Sequence, residues 1–188
     1  FDNIYHEHYN YWSVLSLRNF FENLGLQVSK VQHVDTHGGS IRVYITEKTQ
    51  NIDDSVDKFI SDELEFGLDK IETYREFEKK VQECKEKTVN KIKEMKENGD
   101  VIVGYGSPAK ATTVLNYYGI DNEVIDYIIE DNELKHNKLL PGVRIPIKGK
   151  DDVKADKVLV LAWNFFNYIK QNNQDLVDNG CEFITLKD

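Results

Sequence analysis

The densest run of titratable side chains is Tyr5-His6-Glu7-His8-Tyr9, where two imidazoles, a carboxylate and two phenols fall in five consecutive residues. A histidine titrates near pH ~6.5 when unperturbed, so a carboxylate that orients its ring makes it an effective proton acceptor around neutrality. Structural hydrogen bonding and metal ligation compete with this reading. His6 and His8 would face one side of an extended strand, but no third ligand accompanies them in the sequence, so no metal is expected. A second constellation is Gly104-Tyr105-Gly106-Ser107-Pro108-Ala109, a G-x-G-x-x-A pattern between an apolar strand and a helix. Such glycines let backbone approach a diphosphate, whose charge then meets the amino terminus of the helix, and Pro108 suits a first helical turn. Lys110 could add a direct charge, and Glu130 and Asp131 follow the next strand, where an acid reads a ribose hydroxyl. A plain strand–turn–helix explains the same residues, and Pro108 and Lys110 within the loop weaken a dinucleotide reading.

Three more loops are candidates. His37-Gly38-Gly39-Ser40 reads first as a hairpin turn, although Arg42 beyond it could reach a phosphate. Lys138-Leu139-Leu140-Pro141-Gly142 and Trp163-Asn164-Phe165 are expected near the carboxyl ends of parallel strands, where open α/β sheets bind ligands. A Pro-Gly pair also serves as a simple turn, and a tryptophan after a strand as core.

The elements that must position these groups follow from apolar spacing. Leu15, Leu17, Phe20, Phe21 and Leu24 have helical period, with Ser13 as N-cap and Gly25 as the stop. Segments around Leu26–Val31 and Ile41–Ile45 alternate as a β-hairpin ending near Thr46. The charged middle reads as two amphipathic helices, residues 55–68 and from Asp69 to Gly99. From Asp100 strands and helices alternate: strands at 101–103, 124–129, 158–163 and 181–186, helices at 111–118 and 164–171. Short connections between alternating elements require a parallel sheet with crossover helices. The expected fold is therefore α/β, a Rossmann-like parallel sheet flanked by helices, preceded by a helix–β-hairpin unit and a long helical linker.

Composition narrows the function classes. The 188 residues are 40% hydrophobic, within the range of folded globular chains, and carry 24 basic against 33 acidic side chains for a net charge of −9. That field repels nucleic acid, and no basic patch opposes it. Cys84 and Cys181 form no CxxC pair, which suits a reduced, cytoplasmic setting. No apolar run approaches the ~20 residues of a membrane span. The chain starts Phe1-Asp2-Asn3-Ile4 and its one methionine is Met95, so it reads as part of a longer polypeptide.

Five segments, IYHEHYNY, HGGSIRVY, GYGSPAKATTVLNYYGI, IIEDNELKHNKLLPGVRIPI and VLVLAWNF, occur in the order found in sugar C-methyltransferases, which the chain resembles from residue 1 to about 170. The resemblance implies that residues 1–46 are the closing helix and hairpin of a class I methyltransferase domain. Residues 47–188 would be a helical linker and a Rossmann-like substrate-binding domain. It implies a nucleotide-linked keto-deoxysugar as substrate and the chain's own N-terminal methyltransferase domain as partner. S-adenosyl-L-methionine would be held mainly by that preceding part, and zinc only in a cysteine-rich module before it. The family's Tyr-x-Glu-His signature falls on Tyr5, Glu7 and His8, with His8 as the base that makes an enolate, Glu7 orienting it and Tyr5 donating to the oxyanion. His37, Ser40, Arg42, Gly104, Tyr105, Gly106, Ser107, Lys110, Asp131, Trp163 and Asn164 are the implied substrate contacts, the diphosphate lying on the loop from Gly104 to Lys110. Ser107 and Ala111 depart conservatively from the commoner pattern. Two other readings stay open: a non-catalytic nucleotide-binding or interaction module, and an NAD-dependent oxidoreductase domain resting on the glycine loop alone.

Overall fold

Ser13 opens the first helix of the computed structural model, which describes residues 4, 6–36, 39–151 and 153–186. Its side chain accepts from the Ser16 N–H, and the Ser16 hydroxyl accepts from the Ser13 N–H, a reciprocal cap for α1 (Val14–Asn23). Gly25 follows the helix in the left-handed region and turns the chain into β1 (Leu26–Val34), which pairs antiparallel with β2 (Ser40–Glu47). Helices α2 (Ser55–Phe66) and α3 (Ile71–Glu97) complete the helical middle. By contacts the chain divides into two units, Glu7–Lys80 and one built mainly on Val81–Asp188, the division falling within α3.

In the first unit, β1 turns Val28 and Val31 toward α1 and α2, where they bury with Val14, Val56 and Ile60. Strand β2 has no fully buried residue. A tie that no local pattern announces joins the helices: the Glu63 carboxylate of α2 accepts from the Val14 and Leu15 N–H groups at 2.5 and 2.9 Å. It thereby satisfies two of the donors that every helix start leaves open.

The second unit is a five-stranded, all-parallel sheet, ordered β5 (Ile147–Lys148), β4 (Ile128–Ile129), β3 (Ile102–Tyr105), β6 (Lys157–Val160), β7 (Glu182–Ile184). Because side chains alternate along a strand, Ile102, Ile128, Leu159 and Ile184 pack to one face with α4 (Ala109–Tyr118) and Ile92 of α3. Val103, Ile129, Val158, Val160 and Phe183 pack to the other with α5 (Phe166–Asn172) and α6 (Gln174–Asp178). Both faces are covered, as a parallel sheet demands.

Several details differ from the sequence expectation. The strand expected over 124–129 is confined to Ile128–Ile129, because Asp121 captures Val124 and Ile125 in a turn by accepting both N–H groups at its carbonyl. The helix expected from Asn164 begins as a 3-10 turn, Trp163–Phe165, before α5. Pro141-Gly142 is not at a strand's carboxyl end; it turns the chain ahead of β5 and packs on α4, where the Asn116 amide donates to the Pro141 carbonyl. Glycine suits position 142 because the backbone there sits at φ 81°, where L side chains are rarely found, and a Cβ would also displace the Asn116 amide, 2.0 Å away.

Candidate functional site

Strands β4 and β5 extend the sheet to one side of β3, and β6 and β7 to the other. Connections therefore leave β3 and β6 in opposite directions, the switch point at which open α/β sheets bind ligands. A crevice of about 240 Å³ lies there. One wall carries Ser107, Glu130, Asp131 and Lys135; the other carries Ala162, Phe165, Tyr168 and Ile169.

Two donors of the glycine loop are engaged within the protein. The Gly106 N–H donates to the Ile129 carbonyl at 2.8 Å, and Pro108 has no N–H. The Ser107 N–H and hydroxyl both donate to Glu130 Oε2, at 2.8 and 2.5 Å. Lys135 Nζ donates to the same carboxylate oxygen and to the Ser107 carbonyl, each at 3.1 Å, and the Asn132 N–H donates to Glu130 Oε1. Burial pushes the Glu130 carboxyl up, but the bonds from Ser107, Asn132 and Lys135 outweigh it and hold it below the usual carboxylate value. Beside it, the Tyr105 phenol donates to Asp131 Oδ1 at 2.9 Å. Desolvation, with Asp131 assisting and Asn173 opposing, pushes this phenol to about 12, so it stays a donor at neutral pH.

A depressed carboxyl contributes stability above its unfolded pKa, and the contribution is lost as pH falls through the folded value. Glu130→Gln should therefore cost about 1–3 kcal/mol at pH 7, leaving Ser107 and Lys135 poorly paired, and lower Tm by several degrees. Melting both proteins at pH 7 and below pH ~4 tests this. The gap should narrow in acid; a gap of equal size at both pH values would contradict the assigned charge.

The sequence-derived residues separate into groups. Tyr105, Gly106, Ser107 and Asp131 meet at the crevice. Gly104 lies inside β3, where its lack of a side chain admits Ile128 and Leu161. Lys110 packs its ammonium over the Trp163 ring, 4.2 Å from the centroid, and Asn164 is exposed in the 3-10 turn. Lys135 and Tyr168 also belong to the crevice; Lys135 falls in the IIEDNELKHNKLLPGVRIPI segment, Tyr168 in no motif, and the role of each follows from the chain path.

The first unit has its own cavity, about 630 Å³, lined by Tyr11, Trp12, His33, Ser40, Glu63 and Tyr74 among others. The Ser40 hydroxyl donates to the Thr36 carbonyl, whereas Arg42 is exposed on β2 opposite Gln32. Glu7 and His8 are exposed, and Glu7 holds φ 76°, a left-handed conformation that non-glycine residues rarely adopt. Tyr5 and His37 lie outside the described residues. Among the described residues no group of three or more His, Cys, Asp or Glu is placed to hold a metal, and no helix is long and apolar enough to cross a membrane.

Residues 35–186 match the model of a family described as the C-methyltransferase C-terminal domain. The chain is also similar to the C-methyltransferase NovU of Streptomyces niveus, 33% identical over 189 residues that cover 98% of this chain and 45% of the relative. It thus spans less than half the length of that relative.

Proposed function

Since the chain belongs to the C-methyltransferase family and matches its C-terminal domain over residues 35–186, we propose that it is the C-terminal part of an S-adenosylmethionine-dependent enzyme that methylates a carbon of a nucleotide-linked keto-deoxysugar. The observation that carries this reading is the ligand crevice at the switch point of the parallel sheet, which lies within the matched residues. Residues 1–46 would close the preceding methyltransferase domain. Residues 47–188 would form the linker and the substrate-binding domain, with the nucleotide at the crevice.

On this reading the chain's own chemistry is proton removal. The hydrogens beside a ketone are acidic because the electron pair left on carbon delocalises onto oxygen. His8 takes the proton, the C–H pair becomes the enolate, and a nearby hydroxyl donor stabilises the oxyanion. Tyr5 is assigned that donor and Glu7 the carboxylate that orients His8. The left-handed backbone at Glu7 supports a functional role, since such conformations cluster at active sites. Three residues beyond His8 the chain already lines the larger cavity, at Tyr11.

S-adenosylmethionine supplies an electrophilic methyl, and the described residues do not fit it. Their glycine loop has its Gly106 and Ser107 donors engaged within the protein. The same engagement disfavours a nicotinamide dinucleotide. The 188-residue chain alone should bind neither cofactor appreciably. Calorimetric titration checks this, and low-micromolar binding of S-adenosylmethionine would refute the assignment of that site to another part of the protein. The function itself is tested by incubating the intact protein with S-adenosylmethionine and nucleotide-linked keto-deoxysugars. A product heavier by one methylene, with the new carbon beside the ketone, is expected; methyl transfer to oxygen or nitrogen instead would overturn the reading.

A further inference from the structure

We propose that Glu63 is a positioning residue for the proton-removing run Glu7-His8: by clamping the start of α1 it fixes the segment that leads from that run into the cavity of the first unit. This rests on the reading of His8 as the base. Helix α1 has no acidic side chain in its own first turn, so nothing local answers the partial positive charge at its amino terminus. Glu63 answers it from 48 residues along the chain. Its oxygens take consecutive amides separately, Oε1 the Val14 N–H at 2.5 Å and Oε2 the Leu15 N–H at 2.9 Å. A carboxylate that accepts through both oxygens fixes direction as well as distance. On its own helix the acid is poorly placed, because it stands in the last turn of α2, beside the negative end of the dipole, with no basic side chain in that turn. A residue that breaks a local rule is expected where a demand from elsewhere in the fold overrides it.

What the clamp holds is the approach to α1. Residues 8–13 adopt no regular structure, so their position is inherited from the helix they enter. Trp12 lies on that helix, its ring 5.4 Å from the ring of Phe20 between centroids. Tyr11, Trp12 and Ser13 line the cavity, and Glu63 lines it with them. His8 is three residues ahead of Tyr11, a span of at most about 11 Å. Unwinding the first turn of α1, a rise of about 5.4 Å, would therefore shift the base along with the cavity wall. A misplacement of about 1 Å can cost a reacting group about a hundredfold in rate. The Ser13–Ser16 cap does not involve Glu63, so loss of the clamp should loosen this entry without unfolding α1.

The test is exchange of the sugar's α-proton with solvent deuterium, measured on the intact protein without S-adenosylmethionine. The probe is the nucleotide-linked keto-deoxysugar that the intact protein methylates. Glu63→Gln is isosteric but sets an amide donor against one of the two backbone N–H groups. Its exchange rate at saturating sugar should fall about tenfold or more, while the half-saturating concentration changes by less than about twofold. Gly25→Ala is the control. Gly25 closes the other end of α1 at φ 78°, so this variant should lower Tm yet exchange at the wild-type rate. If Glu63→Gln folds poorly, Glu63→Asp keeps the charge, draws the oxygens back by one methylene, and should show the same split. A wild-type rate in the Glu63 variant would overturn the proposal. So would an equal loss of rate in the Gly25 variant, which a merely structural part in α1 would produce. If His8→Asn is slow in those cases, this assignment alone has failed; if His8→Asn also exchanges at the wild-type rate, the base is elsewhere and the reading beneath it falls as well.

Discussion

His8→Asn in the intact enzyme is expected to cut methyl transfer by about a hundredfold or more, the usual scale for removing a general base, with the fold unchanged. His8 is exposed, so its replacement leaves no buried cavity. Asparagine keeps polarity and hydrogen-bonding capacity but cannot take a proton near neutral pH. Glu7→Gln should be milder, because the amide can still orient the ring while losing the charge that favours the imidazolium. The decisive readout is exchange of the sugar's α-proton with deuterium from solvent, which isolates proton removal from the methyl-transfer step. Exchange at the wild-type rate in the His8 variant would show that the base is elsewhere.

The largest effect on stability is expected at Gly104. Even a Cβ there would lie 2.9 Å from Ile128 Cγ1 and 3.1 Å from Leu161 Cδ1, both neighbours fully buried in the middle of the parallel sheet. Interiors are close-packed and strand β3 is paired on both sides, so neither the strand nor its neighbours can yield cheaply. Gly104→Val should cost about 3 kcal/mol or more, a fall in Tm of roughly 6–12 °C for a chain of this size. Gly104→Ala should cost less, and pairing it with Ile128→Ala should be better tolerated than the sum of the two changes, as expected for groups that collide. A Gly104→Val protein that unfolds in denaturant at the wild-type midpoint would contradict this packing. Gly104 thus makes room for the Ile128 and Leu161 side chains.

The helix of residues 14–23 was legible because a serine cap, an amphipathic repeat and a glycine stop are all local signals, and the hairpin after it because alternation reports burial on one face. The parallel sheet was legible from strand–helix alternation. Strand lengths were less so. Val124 and Ile125 have strand-forming side chains, but a turn built on Asp121 holds them, and β4 keeps two residues. The strand β5, also two residues, carries too little pattern to be seen at all.

What the sequence determined by itself, then, is the set of locally encoded elements, the α/β class and the run of titratable groups at His6-Glu7-His8. It also placed the glycine loop between a strand and a helix and two acids after the next strand. Tertiary structure alone decided what those groups do to one another. Glu130 is 23 residues from Ser107 in the chain, yet it takes the loop's donors, Lys135 neutralises it from the same side, and Lys110 goes to Trp163. The physical reason is that a motif specifies which donors are present, whereas their free capacity depends on which distant carboxylates and cations the sheet's topology brings within about 3 Å of them.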